Sequence, residues 1–93
     1  MPKQENALYA DLKIVNALGL HARSAAKIAE AARHSVSGIY IEKDGVKADA
    51  SSIIDLLSLA AMNGSDIRVE IEAEEDAHIM KTIIELVESG FGE

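Results

Sequence analysis

Ninety-three residues suffice for one small domain, read here as a single unit spanning residues 1–93, and hydrophobic residues at 48% place the chain well above the disordered range. Aromatic residues make up only 3%, so the core must be built from Ile, Leu, Val and Ala, and the absence of Cys removes disulfides and thiolate metal sites and fits a reducing compartment. A net charge of −7 argues against general affinity for nucleic acid, which needs a cationic face to displace counterions from phosphates.

The opening "MPKQENALYA" has no apolar stretch of signal-peptide length and no run approaches a membrane span, which points to a cytoplasmic protein. In "ALYADLKIV" Leu8, Ala10, Leu12 and Ile14 alternate with Tyr9, Asp11 and Lys13, the period of a strand with one buried face. After the loop "NALGL", the alanine-rich segment from Ala22 to about Arg33 favours helix, and its small side chains permit close packing. "SGIYIEK", "DG" and "VKADA" predict a hairpin, since Asp-Gly supplies the positive φ angles of a two-residue turn, with Ile39 and Ile41 pointing inward.

"SSIIDLLSLAA" is too continuously apolar for a half-buried strand and begins with Ser-x-x-Asp, predicting a short helix with a capping box between Ser52 and Asp55. "DIRVEIEA" alternates as a strand. "EEDAHIMKTIIELVES" spaces Met80, Ile83, Ile84 and Val87 as on a helix, with acids crowding its first turn and Gly90 as its stop. The order strand, helix, strand, strand, helix, strand, helix predicts an α+β open-faced β-sandwich: a four-stranded, mainly antiparallel sheet with three helices on one face and water on the other.

Charge is distributed unevenly. From Asp66 to Glu93 there are nine acids against Arg68 and Lys81, a net of −7, so the whole excess lies there. Residues 20–33 carry Arg23, Lys27 and Arg33 against Glu30, and His21 sits in that locally basic segment. A neutral imidazole is a competent nucleophile toward phosphorus near neutral pH, and the start of a helix offers unpaired backbone N–H groups to the charge that a phosphoryl group brings. Arg23 adds a guanidinium fork matched to phosphate oxygens, and Gly19 lets the loop take a conformation other residues would resist and keeps the approach open. Spacing alone also allows a plain reading, in which His21 caps a helix and Arg23 is an exposed helix former.

The string "GLHARSAAK" closely resembles the active-site motif of the HPr family, the histidine phosphocarriers of the bacterial phosphoenolpyruvate-dependent phosphotransferase system, whose usual form is Gly-Leu/Ile-His-Ala-Arg-Pro-Ala. "SSIIDLLSLAA" is similar to the family's second motif, with Ser52 thirty-one residues after His21, and "SGFGE" resembles its close. The resemblance covers Leu8 to Glu93. It implies that His21 accepts a phosphoryl group at Nδ1 from phosphorylated enzyme I, with Arg23 steadying it, and passes it to an enzyme IIA domain in sugar uptake or the nitrogen-type branch. On that reading the protein is a monomeric carrier, a substrate of two enzymes and not an enzyme, without cofactor or metal, and it binds neither nucleic acid nor membrane.

Ser24 stands where the family has proline. Proline suits the first turn of a helix; serine gives up that rigidity but adds a hydroxyl that either caps the helix or contacts the phosphate. Ser52 matches the family's regulatory serine, a target of HPr kinase/phosphorylase in many Gram-positive bacteria, while its plain role is an N-cap. Asp55, where regulated members usually have glycine, opposes a phosphate on Ser52. Ile53, Ile54 and Leu57 match an apolar docking patch, and Ala22, Lys27, Ile53 and Leu57 are the expected docking residues, although a helix this apolar must bury part of the set.

Two other functions compete. A regulatory binding module of the same fold would act through Ser52 phosphorylation, but known relatives of that kind lack the histidine. A hydrolase using His21 as general base lacks a nucleophile or a second acid in the same segment. His34 and His78 have no second ligand at metal spacing and read as surface residues, and the run "EIEAEEDA" reads as solvated.

Overall fold

The computed structural model describes residues 8–93, so Ala7, the first residue of the predicted strand, and the opening segment lie outside it. The elements follow in the predicted order: β1 (Tyr9–Lys13), α1 (Ala22–Ala32), β2 (Ile39–Lys43), β3 (Val46–Asp49), α2 (Ile53–Ser58), β4 (Asp66–Ile71) and α3 (Ala77–Glu88). A 3-10 turn, Glu74–Asp76, precedes α3, and a second, Gly90–Gly92, follows it.

The strands lie in the order β1-β4-β2-β3 and every pairing is antiparallel. Register explains why one face is dry. Ile41 lies opposite both Ala48 and Val69, and Val69 lies opposite Ala10, so the apolar residues of four strands stack on one side. The other side carries Asp11 and Arg68 in a two-point ion pair, with the guanidinium 4.1 Å from the Tyr9 ring centre, and Lys47 paired with Glu70 at 2.9 Å. The Asp44-Gly45 turn has φ of 52° and 82°, both positive as a primed hairpin turn requires.

The helices close the dry face. Ile28 of α1, Leu56 of α2 and Ile83 and Val87 of α3 join Ile14, Ile41 and Val69 in one aliphatic cluster, and Phe91, the sole phenylalanine, is buried with them. This is the open-faced α+β sandwich expected from the pattern.

Three local expectations change. The Ser52 cap is one-way: its Oγ accepts from the Asp55 N–H at 3.2 Å, while the Ser52 N–H bonds the Asp49 carbonyl and the Asp55 carboxylate does not return. Asp76 is no solvated acid. It is fully buried and accepts from the N–H groups of Val36 and Ser37 at 2.8 and 3.0 Å and from the Ser37 hydroxyl at 3.0 Å, stapling the turn after α1 to the start of α3. Those donors, led by the Val36 N–H, hold its carboxyl below the ordinary aspartate value against the opposing effect of burial. Gly19 takes the left-handed conformation that other residues resist, at φ +70°, but close packing is a further reason for glycine there, because a Cβ would lie 2.6 Å from the Met62 Cα and 2.8 Å from the Ala61 carbonyl oxygen.

Candidate functional site

His21 is the N-cap of α1, in extended conformation with φ −117°. Extended backbone at this position lets the side chain turn back over the first turn, where imidazole Nδ1 accepts the Arg23 N–H at 3.3 Å. In return Ser24, three residues on, accepts the His21 N–H on its hydroxyl at 2.9 Å, completing a reciprocal cap. The Ser24 hydroxyl also bonds the carbonyls of Gly19 at 3.1 Å and His21 at 3.2 Å, and the residue is fully buried. Of the two roles open to that hydroxyl, the structure shows the cap: its partners among the described residues are all main chain. The capping signature expected at Ser52 thus occurs in full at His21.

The opposite edge of the ring is met from the other end of the described chain. Glu93 Oε2 lies 2.6 Å from His21 Nε2, and Glu93 Oε1 accepts from Asn16 Nδ2 at 3.0 Å. The Asn16 amide also donates to the Gly19 carbonyl at 2.9 Å, tying the loop before His21 to the same carboxylate. These bonds assign the ring's proton: Nδ1 accepts and is bare, Nε2 donates and is protonated. The Asn16 amide first, then the His21 ring and the charge of Arg23, hold the Glu93 carboxyl below its ordinary range.

Glu93 reaches this position through a left-handed hook. Gly90, Phe91 and Gly92 have φ of 66°, 59° and 75°, an uncommon run for which the two glycines are suited and which Phe91 tolerates because its ring is anchored in the core. Lys27 Nζ donates to the Phe91 carbonyl at 2.6 Å, so this expected docking residue also fastens the hook to α1. Neither Asn16 nor Glu93 stands out for the site in the sequence. The Gly-Phe-Gly flanks were the available signal, since glycines on both sides of a core aromatic mark a chain reversal.

The Arg23 side chain is exposed and pairs with no carboxylate among the described residues, and Ala22 is exposed beside it. Of the apolar docking candidates, Ile53 and Leu57 are each 39% exposed and Ile54 is 80% exposed, so α2 buries Leu56 and turns all three outward. Leu18 and Met62, which the sequence analysis did not single out, are exposed as well. Because the Leu20 N–H bonds the Ala61 carbonyl, the loop after α2 abuts the histidine loop and the apolar surface borders the site. His34 and His78 lie on the surface as expected.

Comparison with known proteins points to one family. The family model described as "PTS HPr component phosphorylation site" matches residues 9–89. The phosphocarrier protein HPr of Cupriavidus necator is 36% identical over 86 residues, covering 92% of this chain and 97% of that protein. The phosphocarrier protein NPr of Escherichia coli K12 is 35% identical over 83 residues, covering 88% and 92%. Among solved structures, HPr from Thermoanaerobacter tengcongensis superposes with a TM-score of 0.85 at 35% identity, covering 91% of this chain and 96% of that one. With a capping histidine at the head of α1, an open sandwich behind it and relatives that match nearly end to end, the chain belongs to the HPr family of phosphotransferase-system phosphocarriers.

Proposed function

We propose that His21 is the residue that carries the phosphoryl group, received from phosphorylated enzyme I and passed to an enzyme IIA domain in the cytoplasm. The observation that carries this reading is the bare Nδ1 of a helix-capping imidazole, held by the Arg23 N–H at 3.3 Å. In the transfer the Nδ1 lone pair attacks phosphorus, the donor's bond to phosphorus breaks, and the donor keeps the electron pair. The Arg23 N–H loses its acceptor when the N–P bond forms and turns to a phosphoryl oxygen, joined by the Arg23 guanidinium. The helix start thus serves the free ring and the loaded one with the same donor.

The outward-facing Ile53, Ile54 and Leu57, with Ala22 and Lys27 at the rim, form the docking surface for both partners in this reading. HPr kinase/phosphorylase should modify Ser52 poorly, because Asp55 in the same turn opposes a phosphate there. The Ser52 Oγ already serves as the α2 cap. The test is incubation with phosphoenolpyruvate and a cognate enzyme I, followed by assay of acid-labile phosphate. Wild type should load one phosphoryl group, and a folded His21→Ala variant none; wild-type loading in that variant would place the site elsewhere.

A further inference from the structure

The clamp on the far edge of the imidazole has no role in the phosphoryl contacts described so far, yet it is built with care. Glu93 bridges His21 Nε2 at 2.6 Å and Asn16 Nδ2 at 3.0 Å, and its side chain is only 18% exposed. The hook that carries it is fixed twice, by the buried Phe91 ring and by Lys27 on the Phe91 carbonyl. A surface glutamate that paired with a histidine by chance would need none of this.

We infer that Glu93 is a positioning residue for phosphoryl transfer: it holds the His21 proton on Nε2, keeps Nδ1 bare for attack, and balances the positive charge the ring gains when Nδ1 bonds phosphorus. The inference rests on the carrier reading of His21. In the step, the Nδ1–P bond forms as the donor's bond to phosphorus breaks with its electron pair leaving on the donor. The ring then bears a proton on Nε2 and a phosphoryl group on Nδ1, formally cationic, and the Glu93 carboxylate receives that N–H in a charge-assisted hydrogen bond. A carboxylate that orients a histidine from behind and steadies its imidazolium is the same physical arrangement used by Ser-His-Asp triads, with phosphorus in place of an acyl carbon. When the carrier unloads, the relation reverses, and the neutral ring leaves in the tautomer that is ready for the next cycle.

Asn16 sets which way Glu93 works. Its amide donates to one carboxylate oxygen, so the other faces Nε2 as an acceptor. Among the described residues the ring thus meets a backbone donor on Nδ1, a carboxylate on Nε2, and the charge of Arg23 nearby.

Glu93→Gln is the informative substitution. If its oxygen stays on Asn16, its amide nitrogen faces Nε2 as a donor and opposes the Nε2–H tautomer, pushing the proton toward Nδ1 at the expense of the Arg23 N–H contact and so hindering attack; if it flips, two donors face each other at Asn16. Two readouts apply to the full chain. Nitrogen-15 NMR of the unphosphorylated protein reports the His21 tautomer: wild type should show Nε2–H, and Glu93→Gln a shift of population to Nδ1–H. Single-turnover uptake from phosphorylated enzyme I should slow roughly 10-fold in Glu93→Gln, while Glu93→Asp restores part of the rate if its shorter carboxylate still reaches the ring. An unchanged tautomer together with unchanged uptake in Glu93→Gln overturns the inference. If wild type itself takes up no phosphate while its ring shows the predicted tautomer shift on Glu93→Gln, the carrier reading fails and the clamp stands.

Discussion

Replacing Ser24 by the proline usual in the family should weaken this protein, and the structure supplies the reason. In the first turn of a helix proline is sterically acceptable, and its fixed φ lowers the freedom of the unfolded chain, a gain of about 0.4–1 kcal/mol. Against that gain stands the hydroxyl, fully buried and bonded at 2.9 Å to the His21 N–H. The carbonyls it also touches keep other donors, since Gly19 still receives the Asn16 amide and His21 the Ala25 N–H. The His21 N–H keeps no other acceptor among the described residues. Leaving a part-buried donor unpaired costs about 1–3 kcal/mol, so Ser24→Pro should lose roughly 1–2 kcal/mol net. For a domain of this size that lowers Tm by about 5–15 °C. Ser24→Ala, without the proline gain, should lose a little more. Thermal unfolding of the three proteins followed by circular dichroism gives the answer. A Ser24→Pro protein more stable than wild type would show that the hydroxyl contributes little and that chain stiffness decides this position.

Asp76→Asn should cost roughly 2–3 kcal/mol, because an amide can accept from only part of the Val36 and Ser37 donor set and brings an N–H₂ against the rest. The folded-state pKa of Asp76 is depressed below its ordinary 3.8, so its stabilisation is present above that value and fades as pH falls through the lower, folded one. Urea midpoints taken from pH 5 downward should fall less steeply in Asp76→Asn than in wild type, and parallel slopes would dismiss the carboxylate as a source of acid sensitivity. Gly19→Ala should lose roughly 1–3 kcal/mol, since φ +70° is retained only at a strain cost and the Cβ collides with main chain at 61–62. Chemical denaturation measures it, and an unaltered midpoint would mean that the loop yields freely.

The elements and their order were legible because each follows a simple period: alternation in Ile67, Val69 and Ile71, helical spacing in Met80, Ile83 and Val87, Asp-Gly between two strands. His21 and Arg23 were legible because their chemistry is local to one turn. What the sequence concealed is what long-range contacts decide. Nothing near Asp76 distinguishes it from Glu74 and Glu75, and only the backbone of residues 36 and 37 draws it inward. Glu93 closes on a ring 72 positions away, and no local pattern encodes such a partner. Ser52 misled in the opposite sense, since a correct local motif formed only its outgoing half.

The strand order also dictates when the site can exist. β4 lies between β1 and the β2–β3 hairpin, so β1 has no sheet neighbour until the chain has reached residue 71. The helical cap on His21 is closed by residues at most five apart and can form early, in microseconds, with α1. The carboxylate clamp joins residues 72 and 77 apart and must bear the loop-closure entropy of nearly the whole chain. During folding, therefore, the histidine passes through a stage at which it is capped but unclamped, its tautomer biased by the Arg23 N–H on Nδ1 alone, and it gains a partner on Nε2 only when Glu93 closes on the loop of residues 16–21.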